Sequence, residues 1–269
     1  MIFLLLASIF LFTITNGDAI SWDHLSAKFM KFSKLPMQEN EAIESRWKLL
    51  ADNCQNKSPH GFLGKRYMLR DEHATILIYD VNGQIAGFQM SYKTSLKNGH
   101  YGKYASMRVI DGDYYYLTAY FTDPANVCNQ DLRRPEGYVG DQLVFMTGKG
   151  KYMTVPKHET ALKGTEWKLG KCFTGMGTHY WYDISNNMPC DDMFPAFILY
   201  NKSGELVAWG FVSDVDIPGS RVEHPPGWLI GWFFRKKTEP KCLRKLAHRS
   251  TQHVYLTKVG WFTHTCWLG

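Results

Sequence analysis

Ten histidines and nine tryptophans are the side chains of this 269-residue chain with most to offer chemically, and they are unevenly placed. Seven of the tryptophans (Trp167, Trp181, Trp209, Trp228, Trp232, Trp261 and Trp267) lie from residue 167 onward. The string GMGTHYWYDI (175–184) sets Gly175 and Gly177 beside an alternating run in which His179 and Trp181 share one strand face and Tyr180 and Tyr182 the other. His224 in VEHPPG and His253 in STQHVYL are the histidines most readily brought to the same place. Imidazole transfers protons near neutral pH and ligates metals, so His179, His224 and His253 are the candidate catalytic set. Asp191, Asp192, Asp214 and Asp216 are their candidate carboxylate partners. Trp181, Tyr182, Trp209 and Trp228 are the candidates for lining an aromatic binding pocket.

Named catalytic motifs are missing. The chain has no GxSxG elbow, no P-loop and no HExxH; HETAL (158–162) has Leu162 where a zinc-binding helix needs its second histidine. No CxxC or CxH pair offers closely spaced zinc ligands. The sequence therefore calls for no metal and no cofactor. The net charge of +6 is modest for nucleic-acid binding, which is not expected, although an acidic surface or glycan would suit it.

Three segments recur in order. RWKLLADNC (46–54) resembles EWKLGKC (166–172), LIYDVNGQIAGF (77–88) resembles ILYNKSGELVAWGF (198–211), and YLTAYFTDPANVC (116–128) resembles YLTKVGWFTHTC (255–266). Three ordered matches, two with cysteines in register, point to a duplicated unit, with an insertion in the second copy between about 212 and 250. The first segment reads as a short amphipathic helix through Glu41, Ile43, Trp47, Leu49 and Leu50. The second reads as a hairpin turning at Asp80–Gly83 and Asn201–Gly204, and the third as a strand ending at a cysteine. Thr178–Ile184, Tyr104–Ile110 and Trp228–Phe234 are further strand candidates, and VFMTGKGKYMTV (144–155) a further hairpin. The expected fold is mainly β: two tandem diverged repeats, each a short helix followed by an antiparallel meander. The expected divisions are 1–19 signal peptide, 20–45 N-terminal segment, 46–128 first repeat, 129–165 linker with a hairpin, and 166–269 second repeat.

The signal peptide rests on an uncharged run from Ile2 to Phe12, shorter than the roughly 20 residues of a membrane span. No later stretch is long and apolar enough to be a span. Six cysteines behind a signal peptide imply disulfides in a secreted, extracellular chain. The repeat pairs Cys54 with Cys128 and Cys172 with Cys266, leaving Cys190 with Cys242. Asn56-Lys57-Ser58 and Asn201-Lys202-Ser203 have the form of glycosylation acceptors, Asn201 at what reads as an exposed hairpin tip. Two functions fit: a secreted protein that binds an apolar or aromatic small molecule or a glycan in an aromatic pocket, or a cofactor-independent enzyme (a hydrolase or luciferase-type oxygenase) centred on His179.

Overall fold

The computed structural model describes residues 21–70, 72–97, 101–259, 264 and 266. The expected signal peptide and Trp261 and Trp267 lie outside them. The strands in chain order are β1 (Ser26–Ala27), β2 (Ser33–Lys34), β3 (Trp47–Asp52), β4 (Lys65–Leu69), β5 (Glu72–Tyr79), β6 (Ile85–Lys93), β7 (Val109–Asp111), β8 (Tyr114–Tyr120), β9 (Leu143–Gly148), β10 (Lys151–Val155), β11 (Trp167–Phe173), β12 (Gly177–Tyr182), β13 (Ala196–Tyr200), β14 (Leu206–Ser213) and β15 (Ser250–Tyr255). They form two antiparallel sheets. The first runs β10-β9-β8-β6-β5-β4-β3, with β7 also on β8, and the second β11-β12-β13-β14-β15-β1-β2. Strands β13 and β14, and β5 from Ile76 onward, are apolar because each sheet is covered on both faces.

Between the sheets lies one shared core. Trp209 of β14 sits at its centre, its ring 5.8 Å from Phe88, 5.6 Å from Phe145 and 4.9 Å from Phe211, in edge-on contacts that aromatic quadrupoles favour. Gln252 Nε2 donates to Thr75 Oγ1 at 2.6 Å, a polar tie from one sheet to the other. Each outer face carries its own apolar cluster: Phe62, Ile76, Ile78, Tyr116 and Tyr120 on the first sheet, and Trp181, Phe197, Leu199, Phe234 and Tyr255 on the second.

The two sheets correspond in strand order and in register. Arg66 of β4 pairs with Ile78, and His179 of β12 with Leu199; Ile78 pairs with Gly87, and Leu199 with Ala208. Gly64 and Gly177, at φ +81° and +105°, enter β4 and β12 against the carbonyls of Tyr79 and Tyr200, where an added Cβ would stand 2.5 and 2.6 Å from oxygen. Only glycine fits both demands. The third matched segment is displaced, however. Gly87 pairs with Tyr120 and Ala208 with Tyr255, so Tyr255 answers to Tyr120 and not to Tyr116.

Several expected elements differ. The expected helix through Leu50 is only α1 (Glu39–Glu44), closed by Gln38 and Glu41 as a capping box. Arg46 then takes a positive φ of +66°, which ends the helix and sends Trp47 into a strand. The apolar residues counted toward a helical face, Ile43, Leu49 and Leu50, are exposed. The counterpart before β11 is a single 3-10 turn at Glu159–Leu162. Tyr104–Ile110 is a 3-10 segment (Gly102–Met107) running into the short β7, and Trp228–Phe234 is a 3-10 segment (Gly227–Trp232) and not a strand; Pro225 and Pro226 set its entry.

The disulfides are Cys54–Cys128, Cys172–Cys266 and Cys190–Cys242, the pairs that the matched positions predict. Asn201 is not at an exposed tip. Its side chain is only 6% exposed because Oδ1 accepts from the backbone N–H of Ser203 and Glu205, closing the turn from within. Asn56 is exposed. Among the described residues no helix is long and apolar enough to cross a membrane.

Candidate functional site

The outer face of the second sheet holds a cavity of about 260 Å³. Its floor is built by strand alternation: His179 and Trp181 of β12, Phe197 of β13, Val212 of β14 and His253 of β15 all project outward, while Tyr180 and Tyr182 turn into the inter-sheet core. Its roof is the insertion between β14 and β15, which contributes Leu229, Ile230, Phe233, Phe234, Leu243 and Leu246. Cys190–Cys242 ties this insertion to the loop before β13, so the cover is covalently held. Trp181 stacks on Phe234 at 4.2 Å and donates its indole N–H to Phe233 O at 3.2 Å, fixing roof to floor.

A register comparison explains the space. On the first sheet the positions across β4, β6 and β8 are Arg66, Gln89 and Thr118, joined as Arg66 Nε to Gln89 Oε1 (2.8 Å) and Gln89 Nε2 to Thr118 Oγ1 (2.9 Å). On the second sheet the equivalent row is His179, Gly210 and His253. Gly210 has no side chain to bridge the histidines, and the Phe197 ring lies over it, 2.4 Å from where a Cβ would stand. Phe197 therefore separates the two imidazoles, at centroid distances of 5.8 Å from His179 and 4.8 Å from His253.

The imidazoles are held differently. His179 Nδ1 meets Lys171 O at 3.1 Å, so that nitrogen carries the proton. Burial, with the nearby His253, pushes its pKa down to about 3, leaving a neutral ring. His253 Nδ1 bonds to Glu223 Oε2. Burial alone would raise the Glu223 carboxyl, but His253 and donors from Phe29 N (2.6 Å) and Thr251 Oγ1 (2.8 Å) hold it below the usual range. An ionised Glu223 thus fixes His253 with Nε2 turned away; this nitrogen is buried and has no hydrogen-bond partner among the described residues. His224 stands at the rim, exposed, its Nε2 3.1 Å from Ile217 O and 3.0 Å from Asp216 Oδ1. The three expected histidines all line one cavity, but each is tied to a different partner: Lys171 O, Glu223 and the Ile217 O–Asp216 pair. Among the described residues no group of three or more His, Cys, Asp or Glu side chains is placed to hold a metal ion.

One wall comes from the first half of the chain. Arg108 is 8% exposed; its guanidinium carbon lies 3.9 Å from the Tyr101 ring centroid and its Nε donates to Tyr92 Oη at 3.0 Å. Among the described residues Nη1 has no partner and no carboxylate lies within ion-pairing range of Arg108. Lys97, beside it, is already neutralised by Asp191 (2.7 Å) and Asp214 (2.5 Å). Asp192 accepts from Lys103 N and takes no part in the cavity.

No family model, curated protein or solved structure matches this chain. What the site does rests on its own geometry.

Of the expected pocket residues, Trp181 lines the cavity. Tyr182 and Trp209 belong to the inter-sheet core because alternation turns them inward, and Trp228 lies outside the cavity at 66% exposure on the 3-10 segment. Phe197, Glu223 and Arg108 are the contributors that sequence reasoning missed. Glu223 precedes the noticed His224, but no spacing rule joins it to His253 across 30 residues.

Proposed function

We propose that the protein binds a small apolar or aromatic molecule in the cavity on the outer face of its second sheet. The observation that carries this reading is the wall: rings from β12, β13 and the insertion line a space of about 260 Å³, just under the usual size of small-molecule sites and suited to a compact ligand. A glycan is disfavoured, since the floor presents few hydrogen-bonding groups. Two polar contacts are supplied for orientation, His253 Nε2 at the floor and Arg108 at the wall. Of the two, Arg108 carries the uncompensated charge and favours a ligand with an anionic end. The three disulfides support folding in an oxidising compartment and hence secretion. On this reading the halves descend from one unit, and replacing the Arg66–Gln89–Thr118 row by His179, Gly210 and His253 opened the site.

Fluorescence titration with uncharged phenylnaphthylamine tests the reading. Saturable binding at one site per chain, with energy transfer from tryptophan, is expected; no saturable binding of this probe or of its anionic analogue, anilinonaphthalene sulfonate, contradicts it.

A second reading is favoured by the Glu223–His253 pair. A carboxylate-oriented imidazole is the arrangement a general base requires, and it places proton transfer at His253, whereas the pKa of about 3 leaves His179 too weak a base. On this reading, His253→Gln abolishes turnover of a phenyl ester while phenylnaphthylamine binding survives. Equal turnover in both proteins removes it.

A further inference from the structure

The insertion that roofs the cavity has a second face. Residues 227–249 contain seven lysines and arginines against one glutamate, a net of +6, equal to the formal charge of the entire chain. Arg235, Lys236, Lys237, Lys241, Arg244, Lys245 and His248 are all exposed. Its one acid, Glu239, is consumed by Arg244 at 2.5 Å. Lys236, Lys237 and Lys245 form no ion pair among the described residues. Two tryptophans stand among these charges: Trp228 and Trp232 are 66% and 52% exposed and pack edge to face at 6.0 Å. Positive charge lies directly beside them, because Arg244 Nη2 comes within 2.5 Å of where a Gly231 Cβ would be and Lys171 Nζ donates to Gly231 O at 2.6 Å.

Exposed tryptophans cost hydration that a folded protein ordinarily recovers by burial. Indoles are stable at the boundary between lipid headgroups and acyl chains, and clustered lysines and arginines are drawn to an anionic leaflet. We infer that the 227–249 insertion is a docking surface for an anionic lipid bilayer, with Trp228 and Trp232 entering the headgroup layer and Lys236, Lys237 and Lys245 meeting lipid phosphates and carboxylates. A single-stranded nucleic acid would also meet the charge and stacks its bases on open aromatic faces, but Trp228 and Trp232 stand edge to face against each other and flank the apolar Leu229 and Ile230, an arrangement suited to an apolar boundary. The inference stands apart from the cavity reading, although a roof resting on a membrane would give an apolar ligand a dry route inward.

Cosedimentation of the full chain with phosphatidylcholine vesicles, with and without about a third phosphatidylserine, tests it at low and at high salt. Binding to the anionic vesicles at least about tenfold tighter than to neutral ones is expected, falling steeply with salt, with a blue shift of tryptophan emission. Lys236→Glu/Lys237→Glu/Lys245→Glu should abolish binding. Trp228→Ala/Trp232→Ala should weaken it about tenfold and remove the shift, while the melting temperature reports whether each variant stays folded. Equal binding to both vesicle types, no binding to either, or binding of heparin or an RNA oligomer that needs the lysines but not the tryptophans overturns the inference. None of these outcomes depends on whether the cavity takes a ligand.

Discussion

The outer faces of the two sheets share a register and differ in what fills it. On the first, Arg66 is clamped between Phe62 and Tyr116, at 4.4 and 4.5 Å from their centroids, and is joined through Gln89 to Thr118. On the second, a glycine stands where the bridging glutamine would be, two imidazoles stand apart, and a disulfide-held insertion roofs the space. Closing a face with a long side chain makes core; removing that side chain and adding a lid makes a cavity. The backbone scaffold, down to the paired glycines at 64 and 177, serves both.

If the first face is structural, its variants should act on stability alone. Arg66→Ala should destabilise by about 3–5 kcal/mol, because it strands the buried Gln89 and leaves a hole between two rings. Phenylnaphthylamine affinity at temperatures where the variant is folded should be unchanged, and loss of binding there would erase the contrast. The second face should instead show in the acid limb of stability. His179 stays neutral in the folded protein down to about pH 3 but protonates near 6.5 when unfolded, so the unfolded state binds the extra proton between these values. Stability is therefore full above pH 6.5 and lost as pH falls, by about 1.4 kcal/mol per unit from this residue. The lowered Glu223 carboxyl acts in the same direction at lower pH. Denaturant titrations of His179→Gln should show a shallower fall from pH 6.5 to 5; an unchanged slope would place the effect elsewhere. Gly210→Ala should cost about 1–3 kcal/mol by pushing on Phe197 and Gln252 O, and should weaken probe binding as Phe197 moves into the cavity. The smallest effect is at the wall. Arg108→Leu should lower affinity for anilinonaphthalene sulfonate about tenfold and leave that for phenylnaphthylamine within about twofold.

Much of this was legible in residue order. Alternation in GTHYWY places His179 and Trp181 together and away from Tyr180 and Tyr182, as found on β12. The matched cysteine positions lead to the three disulfide pairs. Local pattern failed where a single backbone angle decided the outcome: apolar spacing cannot show that Arg46 turns to positive φ, so Trp47–Leu50 reads as helix when it is strand. It failed at Asn201 because an Asx turn folds the acceptor side chain inward. Partners from distant elements had no local signature at all. Arg108 reaches the cavity only through the packing of the two halves, and Glu223 reaches His253 only after the chain has traversed the insertion.

The central claim is that the row filled on the first face by Arg66, Gln89 and Thr118 is open on the second and takes a ligand there. It is tested most directly by filling that space and repeating the phenylnaphthylamine titration. Val212→Trp, which projects an indole from β14 into the cavity, should abolish saturable binding while the melting temperature stays close to the parent's. Undiminished binding to a folded Val212→Trp protein would place the probe elsewhere and contradict the account.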